Sequence, residues 1–383
     1  MKDLVTIGVL ARRTGRGEQA TFAVRKQGSF FEALNDVAKT LSIRLQFFAP
    51  SDVSVRTRTV RGYSLSQGRY IPRTIPLPGV VYDRYFAGRL SRLPRYLRVR
   101  RAMEAQGVIF VNSLPASKLA VHNLLKQTHL APHLPETKPL TSTKSLLEFI
   151  DKHPMVYLKP ISGARGWGIL RVERSGRSTY TYRGHILGQP ASGTVRGRRT
   201  LANLLRPLTS RTPYLMQQGI DLLQMERGLA DVRTVVQKDG EGVWQVTGMA
   251  FRVGAPHSVT SNIHTGGTVR PVDEELWGRV TQLALQFAVE LERQLGALGE
   301  LGLDFGVDRS GRIWFIETNT RPGRYIFHLL GDLPTRRVAL RRPLEYARFL
   351  ATRYRRKEDP PWLDQPESPP GCPPAPETGS SST

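Results

Sequence analysis

The sequence predicts a mixed α/β and α+β protein, in which a small α/β domain precedes two α+β lobes. One observation is an apolar strand pattern at residues 4–10, followed by apolar residues at helical spacing over 30–41. A second is a pair of short apolar runs at 79–83 and 107–112, each ending in a polar residue, as buried parallel strands do. A third is the succession of longer strand patterns after residue 155. Together these observations favour an α/β start and an α+β continuation.

The composition is that of a folded chain. Its 383 residues are 39% hydrophobic and 23% charged, which excludes wholesale disorder and a collagen-like structure. No apolar run approaches the roughly 18 residues that cross a bilayer. The N-terminus lacks the basic start and the cleavage site of a signal peptide, so we expect a cytoplasmic protein with no membrane partner. The single cysteine, Cys372, lies in a Pro-rich stretch, which excludes a disulfide framework or a cysteine-based catalytic or zinc site in the core.

Positive charge is concentrated in the N-terminal part of the chain. The protein has 56 Lys and Arg against 32 Asp and Glu, a net charge of +24, and residues 1–110 hold 20 of these basic residues against seven acidic ones. Such an excess attracts anionic partners, and nucleic-acid binding is one interpretation. No zinc-finger spacing and no aromatic RNA-binding signature accompany the arginines. A solvated basic face is therefore the favoured interpretation over nucleic-acid binding.

The first domain is predicted to span residues 1–115. Ser29 is expected to cap its helix, and its later strands end in Asp83 and Asn112. Polar residues that follow buried strands usually lie in loops that carry function.

The second lobe is predicted to span residues 116–220. Helical patterns cover 117–127 and Thr143–Lys152, and a polar segment containing prolines connects them. The strand patterns of this lobe lie at 155–159, 169–173 and Tyr214–Gln218. A glycine-rich turn separates the first two strands.

The third lobe is predicted to span residues 221–356, and it combines strands with one long amphipathic helix over 274–296. Its strand patterns lie at 231–238, 243–253, around Asp304 and at 313–318. Residues 357–383 are rich in Pro, Ser and Gly, so we expect a disordered tail there.

Two carboxylates and one amide lie on the last two predicted strands. Asp304 and Glu317 fall on adjacent strands, and Asn319 shares a strand face with Glu317 because it follows two residues later. This all-oxygen set suits Mg²⁺, which is usually completed by water and substrate phosphates. The alternative is a hairpin whose acidic residues face solvent. Burying these polar side chains among hydrophobic strand residues would be costly, which favours the metal site.

A lysine and a glycine-rich turn form the second candidate group. Lys159 ends a predicted strand, and Gly163, Gly166 and Gly168 follow it. Glycines let backbone amides approach phosphate oxygens, and the ammonium supplies a point charge. The segment is neither a Walker motif nor a dinucleotide fingerprint, because no Gly-Lys-Ser/Thr follows and the loop opens no helix. A flexible turn without function is the alternative.

Several further segments accompany these two groups in a definite order. They are Lys118 on an early helix, Val81-Tyr82-Asp83-Arg84, Leu134-Pro135-Glu136-Thr137, Gln217-Gln218-Gly219-Ile220, Asp231-Val232-Arg233, Gln237-Lys238, Val246-Thr247-Gly248 and Glu317-Thr318-Asn319-Thr320-Arg321-Pro322-Gly323-Arg324. This set resembles the ATP-grasp enzymes and, among them, the YheC/YheD endospore coat-associated family. The resemblance covers roughly residues 1–350, and its motifs are specific in the C-terminal two thirds.

The resemblance implies an ATP-grasp fold, in which two α+β lobes clasp ATP after an α/β pre-ATP-grasp domain. It implies that Lys118 and Lys159 contact the α- and β-phosphates, with the glycine loop over them. The hinge whose backbone meets adenine would then be the segment of Gln217, Gln218 and Ile220.

The resemblance also assigns roles at the reacting centre. Arg233 and Arg252 would face the γ-phosphate or the acyl phosphate, and Asn262 would border the reacting atoms. Asp304, Glu317 and Asn319 would hold one or two Mg²⁺ ions. Alternatives remain for the arginines, because Arg233 could pair locally with Asp231 and Arg252 could form an ordinary surface pair.

Arg321 and Arg324 follow the predicted metal strand. They could bind a substrate carboxylate through a bidentate fork, or they could bridge to the C-terminal helix.

The implied activity is Mg²⁺- and ATP-dependent ligation of a carboxylate to an amine or thiol, through an acyl phosphate and with release of ADP and phosphate. The motifs do not identify the substrates. The basic N-terminal domain suggests an acidic peptide or another polyanion as donor. Two alternatives stay open: a spore coat-associated structural protein that binds ATP with little catalysis, and a basic nucleic-acid-binding protein. An association with the spore coat follows from the resemblance alone.

Overall fold

A computed structural model gives the fold. It describes residues 4–15, 19–22, 30–86, 93–112, 116–161, 168–186, 189–209, 213–226, 228–261, 263 and 266–355. The predicted helix cap Ser29, the cysteine and the predicted disordered tail lie outside these ranges.

The N-terminal sheet follows the α/β pattern. Its strands are β1 (Val5–Leu10), β4 (Ile43–Phe48), β5 (Val53–Ser54), β6 (Thr59–Ser66), β7 (Arg69–Pro76), β8 (Val80–Asp83) and β9 (Ile109–Phe110). The order across the sheet is β5-β6-β4-β1-β8-β9, and β7 also pairs with β6. A separate hairpin joins β2 (Arg13–Thr14) to β3 (Thr21–Phe22), and the helices of this part are α1 (Phe30–Thr40) and α2 (Leu93–Glu104).

The parallel strands of this sheet confirm the sequence prediction, since β1 pairs in parallel with β4 and β8, and β8 with β9. The β6–β7 hairpin was not predicted. Its turn is formed by Gln67 (φ 47°) and Gly68 (φ 74°), both left-handed, which is the turn geometry that matches the twist of paired strands. The sequence signal was weak because glutamine is an uncommon residue at positive φ.

The second sheet is antiparallel throughout. Its strands are β10 (Thr137–Pro139), β11 (Met155–Pro160), β12 (Leu170–Arg174), β13 (Thr179–Ile186), β14 (Gln189–Arg196) and β15 (Tyr214–Gln218), and its helices are α3 (Lys118–Leu125), α4 (Thr143–Lys152) and α5 (Arg198–Thr209). The order is β10-β15-β11-β12-β13-β14. Val156 and Leu158 pack with apolar residues of α4 and α5 in one core. Tyr157 and Lys159 alternate with them and therefore lie on the opposite face.

The third sheet is also antiparallel. Its strands are β16 (Gln224–Met225), β17 (Gly228–Lys238), β18 (Trp244–Val253), β19 (Thr268–Arg270), β20 (Glu300–Val307) and β21 (Ile313–Asn319), and its helices are α6 (Glu274–Leu295), α7 (Tyr325–Leu329) and α8 (Leu333–Arg355). The order is β19-β18-β17-β20-β21, with β16 on β17. Asp273 caps α6 by accepting a 2.9 Å hydrogen bond from the Leu276 amide, and Gly296 (φ 80°) ends it.

The last helix joins the first domain. Leu340, Leu344, Tyr346 and Leu350 of α8 belong to the same buried cluster as the apolar residues of β1, β4 and α1. The N-terminal domain therefore completes its core with residues from the far end of the chain. None of the helices in the described part of the chain combines the length and apolar character that a bilayer crossing requires.

Candidate functional site

A cleft lies where the second and third sheets meet. It encloses about 500 Å³ including its open mouth. Its polar lining includes Lys118 from α3, Lys159 from β11, Gln217 from β15 and Glu317 from β21. The apolar part of its lining comes from Val121, Leu134, Leu215, Phe315 and Ile316. Four of the residues predicted from the sequence thus share one cleft, although 199 positions separate the first from the last.

Lys118 is placed by a capped helix. The Ser117 side chain accepts a 3.2 Å hydrogen bond from the Ala120 amide, which fixes the start of α3. The Lys118 Nζ lies 2.9 Å from Glu317 Oε2, and the two side chains keep 25% and 28% of their exposure. Burial by itself would raise the pKa of Glu317, but Lys118, supported by Lys159 and Arg233, holds that pKa at about 2. Glu317 is therefore a carboxylate at neutral pH.

Lys159 lies at the end of β11 with its ammonium in the cleft. Its Nζ donates a 2.5 Å hydrogen bond to Gln217 Oε1. Burial lowers the pKa of Lys159 to about 8, and repulsion from Lys118 acts in the same direction. Attraction from Glu317 opposes this shift. A partly dehydrated ammonium at this position gains strongly from a nearby anion.

The two acidic residues predicted for the metal site are direct neighbours. Asp304 of β20 and Glu317 of β21 are cross-strand partners, which confirms that they lie on adjacent strands. The Asn319 amide nitrogen lies 3.4 Å from Glu317 Oε1, so the third side chain is next to the pair. Among the described residues, no cluster of three or more histidine, cysteine or acidic side chains has metal-binding geometry.

Both arginines predicted for the reacting centre contact Asp304. Arg233 forms a bidentate ion pair with Asp304, in which Nη2 lies 2.9 Å from Oδ2. Its partner is therefore Asp304 and not Asp231, the local partner that the sequence also allowed. Arg252 Nη2 lies 2.8 Å from Asp304 Oδ2. The same guanidinium also donates hydrogen bonds to both carboxylate oxygens of Asp231. The Arg252 side chain is only 11% exposed, so the alternative of an ordinary surface pair is wrong. Burial raises the pKa of Asp304, and the two guanidinium groups act in the opposite direction.

Two side chains of the predicted hinge segment have different surroundings: one lines the cleft and the other contacts the residue before β10. Gln217 faces the cleft, whereas the Gln218 side chain accepts a 3.1 Å hydrogen bond from the Glu136 amide. The Gln218 amide also donates to the Glu136 carbonyl at 2.8 Å, so Gln218 is fixed to the start of β10. The Ile220 carbonyl accepts a 2.9 Å bond from Leu222 as the chain leaves the sheet.

Gly168, the last glycine of the predicted phosphate loop, has φ +78° and lies against Tyr214. A Cβ at this position would meet the Tyr214 hydroxyl at 3.0 Å, and that hydroxyl donates to the Gly168 carbonyl at 3.1 Å. Both the backbone conformation and the close contact therefore require glycine. Gly163, Gly166 and Asn262 lie outside the described residues.

One side chain of the N-terminal domain forms hydrogen bonds to the backbone next to the strands that carry Asp304 and Glu317. Asn112, two residues after β9, accepts hydrogen bonds from the Gly299 amide (2.7 Å) and the Glu300 amide (3.1 Å) at the start of β20. Its amide nitrogen donates to the carbonyls of Glu300 and Thr320, on either side of the site.

The two arginines that follow β21, Arg321 and Arg324, have internal partners. Arg321 pairs with Asp83 at 2.7 Å. Arg324 donates to the Ala339 carbonyl at 2.7 Å, so it bridges to α8, as one sequence interpretation held. Both side chains are thus engaged within the protein.

Two residues next to the predicted set received no role from the sequence. Asp231 anchors Arg252, and Thr137 accepts a 3.1 Å hydrogen bond from the Gln217 amide nitrogen. Both occur in segments that the family resemblance includes, but only the folded structure reveals what their side chains contact.

An α/β domain followed by two antiparallel sheets that enclose a cleft lined by two lysines and a glutamate is the ATP-grasp architecture. The chain belongs to the YheC/D like ATP-grasp family, whose match covers residues 107–350. It is 29% identical over 318 residues to the endospore coat-associated protein YheD of Bacillus subtilis (strain 168), a match that covers 79% of this chain and 70% of YheD.

Solved structures are similar in fold. The chain matches D-cycloserine synthetase DcsG with a TM-score of 0.53 at 14% identity, covering 91% of this chain and 99% of that one. It matches D-alanine–D-alanine ligase from Bacillus anthracis, complexed with ATP, with a TM-score of 0.51 at 13% identity, covering 93% and 99% of the two chains. At this level of identity the likeness establishes the fold.

Proposed function

We propose that this protein binds Mg·ATP in the cleft and uses it to ligate a carboxylate to an amine. The observation that carries this proposal is the convergence of Lys118, Lys159, Asp304 and Glu317 at one junction between two sheets. The ATP-grasp fold and the ATP-bound ligase of the same fold support it.

The triphosphate is proposed to lie between the two lysines and the two arginines. Lys159 and Lys118 would contact the α- and β-phosphates, with the backbone at Gly163, Gly166 and Gly168 above them. Phosphate oxygens would replace Glu317 as the partner of Lys118, which offsets the loss of that ion pair.

The adenine ring is proposed to lie against the apolar lining of the cleft. Leu134, Leu215 and Ile316 belong to that lining, and planar rings are commonly held by apolar walls with a few polar contacts. The backbone near Gln218 and Ile220 would supply those contacts from the hinge.

The proposed magnesium site consists of Asp304, Glu317 and Asn319. Carboxylate and amide oxygens fit a hard cation, and only two of these groups are acidic, so phosphate oxygens and water would complete the shell. Bound there, Mg²⁺ would supply neutralisation of phosphate charge. Asp304 already pairs with the guanidinium groups of Arg233 and Arg252. For Asp304 to bind the metal ion, these two groups would have to turn toward the nucleotide.

In the proposed reaction, a donor carboxylate oxygen attacks the γ-phosphorus, and the bond from that phosphorus to the β,γ-bridging oxygen breaks, releasing ADP. The amine lone pair then attacks the acyl carbon, the bond to phosphate breaks, and the amine gives a proton to water. Arg233 and Arg252 would stabilise charge on the transferring group, and Asn262 would border it. Catalysis of this kind is mainly positioning and electrostatic stabilisation.

An acidic peptide or another polyanion is the proposed donor class. Several exposed arginines of the N-terminal domain form no ion pair within the described part of the chain, among them Arg56, Arg58, Arg61, Arg98 and Arg101. Unpaired surface charge of one sign steers ligands of the opposite sign. Equal turnover of neutral and acidic peptides at low salt would count against this donor class.

The test is ADP release from Mg·ATP in the presence of pooled amino acids, acidic peptides, polyamines and thiols. We expect release that depends on the pool, and a loss of about 100-fold or more in Glu317→Gln. Glu275→Gln is the matched control, because that glutamate lies on α6 with its side chain 85% exposed. Pool-dependent release that survives in Glu317→Gln would overturn the site assignment.

A binding role without catalysis is the second candidate. It is favoured by one observation: Asp304 and Glu317 are each neutralised by basic residues of the chain itself. The name of the relative YheD suggests association with the endospore coat for such a role. Tight Mg·ATP binding with no turnover from any pool would support it over the ligase.

A further inference from the structure

The segment Pro135–Glu136–Thr137 lies beside the two hinge glutamines. Thr137 of β10 is the cross-strand partner of Gln217 on β15, and both residues are 8% exposed. Glu136 holds the neighbouring Gln218 through its backbone. One short segment therefore contacts both glutamines, and the proposed roles of the cleft residues do not explain why.

The hydrogen bonds around Thr137 have a fixed direction. Its hydroxyl donates to the Pro135 carbonyl at 3.0 Å, and a carbonyl can only accept. Because the one hydroxyl proton is used there, the Thr137 oxygen is available to Gln217 solely as an acceptor. The group that it faces at 3.1 Å must therefore be the amide nitrogen of Gln217.

The orientation of the Gln217 carboxamide determines which of its atoms faces Lys159. With its nitrogen on Thr137, the Gln217 carboxamide turns its oxygen toward Lys159, whose Nζ lies 2.5 Å away. The opposite orientation would place an N–H donor against the ammonium, which has donors only. The chain of bonds thus runs from the Pro135 carbonyl through Thr137 and Gln217 to the Lys159 ammonium.

We propose that Thr137 is a positioning residue of the cleft: it orients the Gln217 carboxamide and thereby holds the Lys159 ammonium where a phosphate group would meet it. This inference rests on the proposed binding of Mg·ATP. It assigns a physical role to the Pro135–Thr137 segment, which touches no proposed reacting atom.

Removing the hydroxyl without changing the shape isolates this role. In Thr137→Val the Gln217 amide loses the acceptor that orients it, and Lys159 loses a fixed partner. The loss of one buried hydrogen bond predicts a rise of about 3- to 10-fold in Kd for Mg·ATP. Thr137→Ser keeps the hydroxyl and should stay within about twofold of the unsubstituted protein.

Gln217→Glu provides the background in which the positioning role and a structural role of Thr137 give different results. A carboxylate presents an oxygen to Lys159 in either orientation, so it does not depend on Thr137. In Gln217→Glu, adding Thr137→Val should change Kd by less than about twofold, whereas a merely structural effect of the valine would persist there. Isothermal titration calorimetry with Mg·ATP measures the unsubstituted protein and each of these variants, and it does not require a known acceptor.

Thr141→Val is the matched control, because that hydroxyl is exposed and bonds to Ser145 Oγ at 3.3 Å. Thermal melting of each variant without nucleotide reports loss of folding separately. An unchanged Kd in Thr137→Val, or an equal effect of the valine in both backgrounds, would overturn the positioning role while leaving the proposed function intact. An unsubstituted protein that fails to bind Mg·ATP would overturn the proposed function, and this inference with it.

Discussion

Lys159 experiences opposing electrostatic effects within one cleft. Burial and the neighbouring Lys118 lower its pKa to about 8, whereas Glu317, Asp231 and Asp304 oppose the shift. A lysine with this pKa is mostly protonated at about pH 7 and mostly deprotonated at about pH 9. Its charge is therefore available for phosphate binding only over part of the alkaline range.

We predict that Mg·ATP affinity falls as the pH rises above about 8. Each further pH unit lowers the charged fraction of Lys159 up to about tenfold, and binding should weaken accordingly. The measurement is Kd for Mg·ATP by calorimetry between pH 7 and 9.5.

Lys159→Arg is the control for this prediction. Arginine stays charged over that range, so the pH dependence should flatten even where the absolute affinity drops. An equal fall in both proteins would mean that a different group titrates.

Strand pairing is the element-scale feature that assembles the site. β20 and β21 place Asp304 opposite Glu317, and Asn112 ties the start of β20 to the residue that follows β21. The amide of Asn112 satisfies four backbone groups with one side chain. It therefore fixes how the N-terminal domain meets the strands of the cleft.

We predict that Asn112→Leu destabilises the protein by about 3 kcal/mol or more, because several buried backbone groups lose their partner at about 1–3 kcal/mol each. Urea unfolding measures the loss. Asn123→Leu, an exposed asparagine on α3, is the control and should cost less than about 1 kcal/mol. A small effect of Asn112→Leu would show that the contact contributes little to the domain junction.

At the scale of the whole molecule, the first and last parts of the chain form one core. Leu344 and Leu350 of α8 are buried with β1 and α1, so the N-terminal domain depends on residues beyond position 330. Residues 1–115 are continuous in sequence but incomplete as a packed unit.

We predict that residues 1–115 produced alone do not fold, and that Leu344→Ala destabilises the intact chain by about 2–5 kcal/mol through the cavity it leaves. Circular dichroism of the fragment and urea unfolding of the variant provide the measurements. Leu333→Ala, an exposed leucine of the same helix, is the control. A cooperatively folded fragment would contradict the shared core.

Local patterns made several elements predictable. Thr143–Lys152 and Tyr214–Gln218 have the bounds that the sequence indicated, because a capped amphipathic helix and a buried apolar strand are encoded by neighbouring residues. The family motifs were equally visible, since they are short segments in a fixed order. What a segment is, and which family it belongs to, could therefore be determined from the sequence.

What each side chain contacts was decided only by the tertiary structure. The partner of Arg233 is Asp304 rather than its near neighbour, and Thr137 meets Gln217 across 80 positions. The packing of α8 against the first domain likewise could not be predicted from the local periodicity of the sequence. Periodicity fixes which face of an element is buried, but not the distant element that buries it, because that choice depends on the packing of the whole chain.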